Sequence, residues 1–129
     1  MTDTIALIAA AIGGLMGFLG LVNPEWSKNL VRLQPSPEKP GGYAEFRASY
    51  GGLFLLTHLA VIVSFLAGNG FMGATFAVAM LWIGLAIGRT LSMALDDTRT
   101  GYNVFGTGFE LALGVMLLMP FLAHLGAGG

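Results

Sequence analysis

The chain contains no cysteine, which rules out disulfides, thiolate chemistry and cysteine-based metal sites. Charge is scarce as well. Asp, Glu, Lys and Arg make up 10% of 129 residues, against about 25% in soluble domains, so the chain cannot cover itself in water. The formal net charge is −1 and the six cations form no cluster, which excludes a counterion-releasing surface for nucleic acid. No Ser-His-Asp order, HExxH, P-loop or dinucleotide fingerprint occurs, and Gly68-Asn69-Gly70 lacks the strand-loop-helix setting that a phosphate loop requires. Ligand-type side chains nowhere gather in a number that would hold a metal. The N-terminus lacks the marks of a signal peptide, since Met1-Thr2-Asp3-Thr4 carries an acid and no base. The first apolar segment therefore reads as a retained helix.

What the chain does have is apolar length. Apolar residues are 55% of the total, the mean hydropathy is +0.76, and they gather in four runs at 4–23, 46–67, 71–95 and 106–125. Each run reaches or exceeds the ~20 residues with which a helix crosses ~30 Å of hydrocarbon. The expectation is an all-α, four-helix transmembrane bundle forming one integral membrane domain over 1–129.

The cations set the expected orientation. Lys28, Arg32, Lys39, Arg47, Arg89 and Arg99 all fall in or beside the first and third connections. Short loops rich in Lys and Arg stay inside, so these two loops are expected to be cytoplasmic and both termini outside. The long cytoplasmic loop, 24–45, divides in two. Residues 25–33 suit a short interfacial helix, with Trp26, Leu30, Val31 and Leu33 toward lipid and Lys28 and Arg32 toward headgroups. Pro35-Ser36-Pro37-Glu38-Lys39-Pro40-Gly41-Gly42 cannot be helical and reads as a proline-rich tether. A plain connector is the simpler reading of it, and a docking segment the sharper one.

Small residues mark where helices approach closely in lipid. Gly13 with Gly17 and Gly84 with Gly88 give two GxxxG spacings, seams for packing within the bundle, between copies, or against a larger membrane complex.

Ionisable groups inside a span cost roughly 2.5 to 3.5 kcal/mol each on insertion scales, so each needs a reason. Arg47, Arg89 and Glu110 are such groups, with Glu45, Tyr50, Ser92, Asp96 and Asp97 around them. Arg89, Ser92 and Asp96 share one helix face. This pattern predicts a polar cluster in the cytoplasmic leaflet in which both arginines share Glu110. A second reading has an anionic headgroup, phosphate or carboxylate completing a cluster of net positive charge. His58 follows Arg47 by eleven residues, three α-helical turns, which puts both on one face with Gly51 and Phe54. It reads first as a packing histidine and second as the lining of a pocket.

Glu45-Phe46-Arg47-Ala48-Ser49-Tyr50-Gly51-Gly52, Gly88-Arg89-Thr90-Leu91-Ser92 followed by Asp96, and Glu110 in the last helix together resemble an uncharacterised bacterial family. That family is a domain of unknown function made of small four-helix inner-membrane proteins, marked by E-x-R-A-x-Y-G-G, R-x-x-S and a Glu in helix four. The layout is also similar to the broader DoxX-like group, though fold does not confer function. The resemblance implies that Glu45, Arg47, Tyr50, Arg89, Ser92, Asp96 and Glu110 are marked positions. It assigns no activity and no cofactor. One departure stands out: the family has Asp-Gly after helix three, and this chain has Asp96-Asp97.

The leading expectation is a non-enzymatic accessory or scaffolding subunit of a membrane complex or homo-oligomer, since the water-exposed parts are too small for a soluble catalytic site. The alternative is a binder or carrier of a small amphiphile such as a lipid, quinone, pigment or isoprenoid, its head at Arg47 and Arg89. A transporter or membrane enzyme would need a titrating pair such as Glu110 with His58 and ranks last.

Overall fold

The computed structural model describes residues 1–39 and 41–127, so Pro40 of the tether lies outside the described residues. Among the described residues all regular structure is helical. Helix α1 runs over Thr2–Val22, α2 over Pro24–Val31 and α3 over Gly42–Arg47; a π-helical turn, Ala48–Gly52, then leads into α4, Leu53–Leu66. Helices α5, Phe71–Leu95, and α6, Gly101–Ala127, complete the order. Four segments are long and apolar enough to cross a membrane: α1, the continuous Gly42–Leu66, α5 and α6. The all-α class, the four spans and the short helix in loop one are as the sequence predicts, but the second span opens at Gly42, the last residue of the stretch read as non-helical, and not at 46.

Two compact units make up the chain, Ala10–Val63 and Met1–Ala9 with Ser64–Gly129. In the first, α1 and α4 run antiparallel along a line of glycines. Gly13 lies against the His58 ring, Gly17 against the backbone of Phe54 and Leu55, and Gly20 against Tyr50. From the other side, a Cβ on Gly51 would sit 2.7 Å from Leu21 Cα. Backbones this close leave no room for any side chain, which is what small residues supply where lipid offers no hydrophobic drive. Helix α2 opens with Pro24, whose missing N–H has no intrahelical role at that position, and the buried Ser27 hydroxyl donates to the Pro24 carbonyl at 3.0 Å. It closes at Arg32, which adopts the left-handed region at φ 59 and donates its N–H to the Lys28 carbonyl.

In the second unit the turn 67–70 reverses the chain, with Gly68 and Gly70 at φ +66 and +76, values that glycine takes freely. Helices α5 and α6 then form an antiparallel hairpin. Trp82 meets Phe109 edge-on at 5.9 Å and Phe76 meets Phe121 at 4.8 Å, while Gly114 admits Ile83 from α5. Trp82, Leu113 and Leu117 are buried. Helix α6 begins at Gly101, five residues before the 106 expected from hydropathy. The reason is a cap: Asn103 donates its N–H to the Thr100 hydroxyl at 3.2 Å and Val104 donates to the Thr100 carbonyl at 3.0 Å, so the polar start of the helix is held by Thr100 and not by apolar burial.

Gly84 and Gly88, on α5, are exposed, and a Cβ at either would meet nothing within 4 Å. Gly13 and Gly17 are buried against α4. The two GxxxG spacings therefore occupy unlike environments in this chain.

Candidate functional site

The ionisable residues marked in the spans take part in one arrangement within each unit. On α5, Arg89 faces Glu110 of α6. Arg89 Nη2 donates to Glu110 Oε1 at 2.6 Å, and Nε donates to both carboxylate oxygens at 3.2 and 3.1 Å. Two guanidinium nitrogens on one carboxylate give the forked geometry that makes such pairs strong and directional. Arg89 Nη1 donates to Asn103 Oδ1 at 3.2 Å, and Asn103 Nδ2 donates to the Thr98 carbonyl at 2.7 Å. The Ser92 and Thr98 hydroxyls are 3.0 Å apart. This chain of bonds ties both helices to the loop between them. Glu110 is buried, with 7% of its side chain exposed, whereas Arg89 retains 32%. Gly106 makes the approach possible, because a Cβ there would lie 3.1 Å from Arg89 Nε.

The second arrangement surrounds the π-helical turn. Arg47, at the end of α3, donates through Nη1 to the Leu21 carbonyl of α1. That carbonyl belongs to the last turn of α1, whose acceptors lack intrahelical partners and carry the negative end of the helix dipole. Tyr50 sits within the turn, its ring stacked on the buried Phe46 at 5.8 Å. Glu45 is exposed on α3. A π turn holds one residue more than the α path, and each residue is worth ~100° of rotation. The common face expected for Arg47 and His58 is therefore broken. His58 is fully buried against Gly13, and its Nδ1 lies 2.7 Å from the Phe54 carbonyl. A carbonyl only accepts, so Nδ1 carries the proton, and this bond orients the ring.

Asp96 lies exposed at the end of α5, its N–H bonded to the Ser92 carbonyl at 2.8 Å. Asp97 takes φ 54, the left-handed conformation usual for glycine just past a helix and tolerated by Asp. The loop thus keeps the backbone a glycine would give it, although the residue differs. Of the residues singled out from sequence, the structure joins Arg89 with Glu110 and Ser92 to their loop, and places Glu45, Arg47 and Tyr50 together in the other unit. Sequence reasoning missed Asn103, Thr98 and Gly106.

Loop one holds a third polar group that the sequence reading did not assemble. Glu25 accepts from Lys28 and from the Tyr43 hydroxyl, linking α2 to α3. The hydrogen bond from Lys28, and secondarily that from Tyr43, lowers the Glu25 carboxyl below its ordinary 4.5, and Glu25 in turn raises Lys28 above 10.5. Stability from the lowered carboxyl is complete above pH 4.5 and lost as pH falls through the folded value; that from the raised ammonium is lost as pH climbs past 10.5. Acidification below 4.5 is expected to detach α2 from α3, with a change in Trp26 fluorescence that Glu25→Gln abolishes. An unchanged titration in Glu25→Gln would dissociate the Trp26 signal from this contact.

Among the described residues no group of three or more His, Asp and Glu is placed to hold a metal ion. Comparison with curated proteins finds no match, and neither does comparison with solved structures. A family model does match, over residues 1–121, and is described as a domain of unknown function, DUF4345. With nearly its whole length matched and four membrane-capable helices, the chain belongs to this family of helical membrane proteins of unknown function.

Proposed function

We propose that the protein is a non-catalytic accessory or scaffolding subunit of a bacterial inner-membrane complex, its termini on the outer face. The observation that carries this reading is the Arg89–Glu110–Asn103 network. Its buried carboxylate accepts three bonds from Arg89 alone, the arrangement of a helix clamp and not of a group poised to exchange protons. Exposed Gly84 and Gly88 with Ile87 and Leu91 beside them offer a second helix the close approach that drives association in lipid.

The test is native mass spectrometry of protein extracted from its own membranes in mild detergent. Co-purified protein subunits, or further copies of the chain, are expected, and Gly84→Leu with Gly88→Leu should release them. A solitary protein in every preparation sinks the reading. The second reading, an amphiphile binder, is favoured by a shallow apolar groove of about 350 Å³ lined by Ala86, Ile87, Thr90, Leu91, Ala94 and Leu111. A small molecule retained on the native chain and lost on Ala94→Phe would establish it instead.

A further inference from the structure

We propose that loop one carries a binding site for a hydroxyl-bearing anionic phospholipid headgroup, of the phosphoglycerol kind, at a cleft between α2, the tether and α3. The cleft measures about 300 Å³ and is lined by Lys28, Gln34, Pro35, Ser36, Pro37 and Tyr43. That volume is at the lower end for small-molecule sites and suits a headgroup more than a whole lipid.

Four polar side chains converge there with complementary roles. Lys28 has three N–H donors, of which Glu25 Oε2 engages one and Tyr43 a second; the third, with the Ser36 hydroxyl and the Gln34 amide, is the donor set offered to a phosphate. Tyr43 gives its own proton to Glu25, so its phenolic oxygen is an acceptor only, shared between the neighbouring Lys28 ammonium and a hydroxyl of the ligand. The Glu25 carboxylate behind Lys28 also selects for charge. It tolerates a phosphodiester with one negative charge and repels a free phosphate with two.

The walls are fixed before any ligand arrives. Pro35 packs so closely on Gly42 that a Cβ on the glycine would lie 2.6 Å from Pro35 Cβ, and the proline rings lock their φ angles. Lys39 donates its N–H to the Ser36 carbonyl at 3.0 Å and Gly42 donates to the Lys39 carbonyl at 3.3 Å, tying the tether to itself and to the start of α3. Depth is fixed by the chain. Helix α2 starts two residues after the membrane-capable α1 ends, and Tyr43 is the second residue of the membrane-capable Gly42–Leu66. A cleft built between two such ends lies at the level of lipid headgroups, with Leu30 and Leu33 exposed beside it as apolar anchors.

The experiment titrates the purified, detergent-solubilised chain with phosphatidylglycerol, phosphatidylcholine or inorganic phosphate and counts adducts by native mass spectrometry. Phosphatidylglycerol is expected to bind at least tenfold more tightly than phosphatidylcholine. The preference should vanish in Lys28→Gln with Ser36→Ala and persist in Lys39→Gln. The first variant changes one side chain of α2 and one of the tether and the second only one of the tether; unaltered helical circular dichroism and unaltered Trp26 fluorescence verify their fold. Equal retention of the two lipids overturns the proposal, as does an equal loss in Lys39→Gln, which would mean diffuse charge. Displacement of phosphatidylglycerol by millimolar inorganic phosphate would reassign the cleft to a soluble anion and overturn the lipid reading. Protein subunits bear on none of these counts, so the result is independent of the accessory role.

Discussion

Glu110→Ala is expected to lower the unfolding free energy by about 3 to 5 kcal/mol, the range for breaking a buried ion pair from one side. The alanine removes the acceptor of three Arg89 bonds and leaves a guanidinium facing a hydrocarbon-lined hairpin. Arg89 keeps its bond to Asn103 through Nη1 but loses its carboxylate partner on α6, which weakens the α5–α6 hairpin. Removing both charges is a different matter. Arg89→Leu with Glu110→Leu replaces the pair by apolar volume, which in other buried pairs is neutral or stabilising. The double variant should therefore recover most of what the single variant loses. Denaturant titration in bicelles, followed by Trp82 fluorescence, measures the cycle. A double variant as unstable as Glu110→Ala would show that the network does more than hold two helices together.

The second large effect separates the two glycine pairs. Gly17→Ala is expected to destabilise by about 3 kcal/mol, the upper part of the range for overpacking, because the new methyl would lie 2.7 Å from Leu55 Cα, and backbone cannot swing away. Gly13→Ala should destabilise as well, since its methyl would lie 2.1 Å from Nε2 of a His58 ring that is fully buried and held at the Phe54 carbonyl. Gly84→Ala meets nothing within 4 Å, so in the isolated chain only helix propensity acts, a gain of up to ~1 kcal/mol. Thermal unfolding in detergent ranks the three. Equal melting temperatures for Gly17→Ala and Gly84→Ala would contradict the close α1–α4 packing.

The spans were legible because hydrocarbon demands one property, apolar length, and sequence displays length directly. The Arg89–Glu110 pair was legible for a related reason: two opposite charges at similar depth in lipid have few other ways to be satisfied. Asn103 was not legible. It sits in what reads as a polar connector, and only the Thr100 cap makes that stretch helical. Arg47 was marked as a site residue, yet its bond goes to the Leu21 backbone, and a carbonyl has no sequence signature. The π turn was hidden as well. Regular α spacing put Arg47, Gly51, Phe54 and His58 on one face, and nothing in Ala48–Gly52 announces the added residue that breaks it.

That turn has a mechanical consequence. Gly42–Leu66 is 25 residues long, ~37 Å as a straight helix, and it carries one residue of slack at Ala48–Gly52. Drawing the slack out would lengthen the span by about one helical rise, ~1.5 Å, without tilting it. Membranes differ in hydrocarbon thickness by a few ångströms, and most spans meet that mismatch by leaning or by deforming the bilayer. This one has a reel built into its backbone.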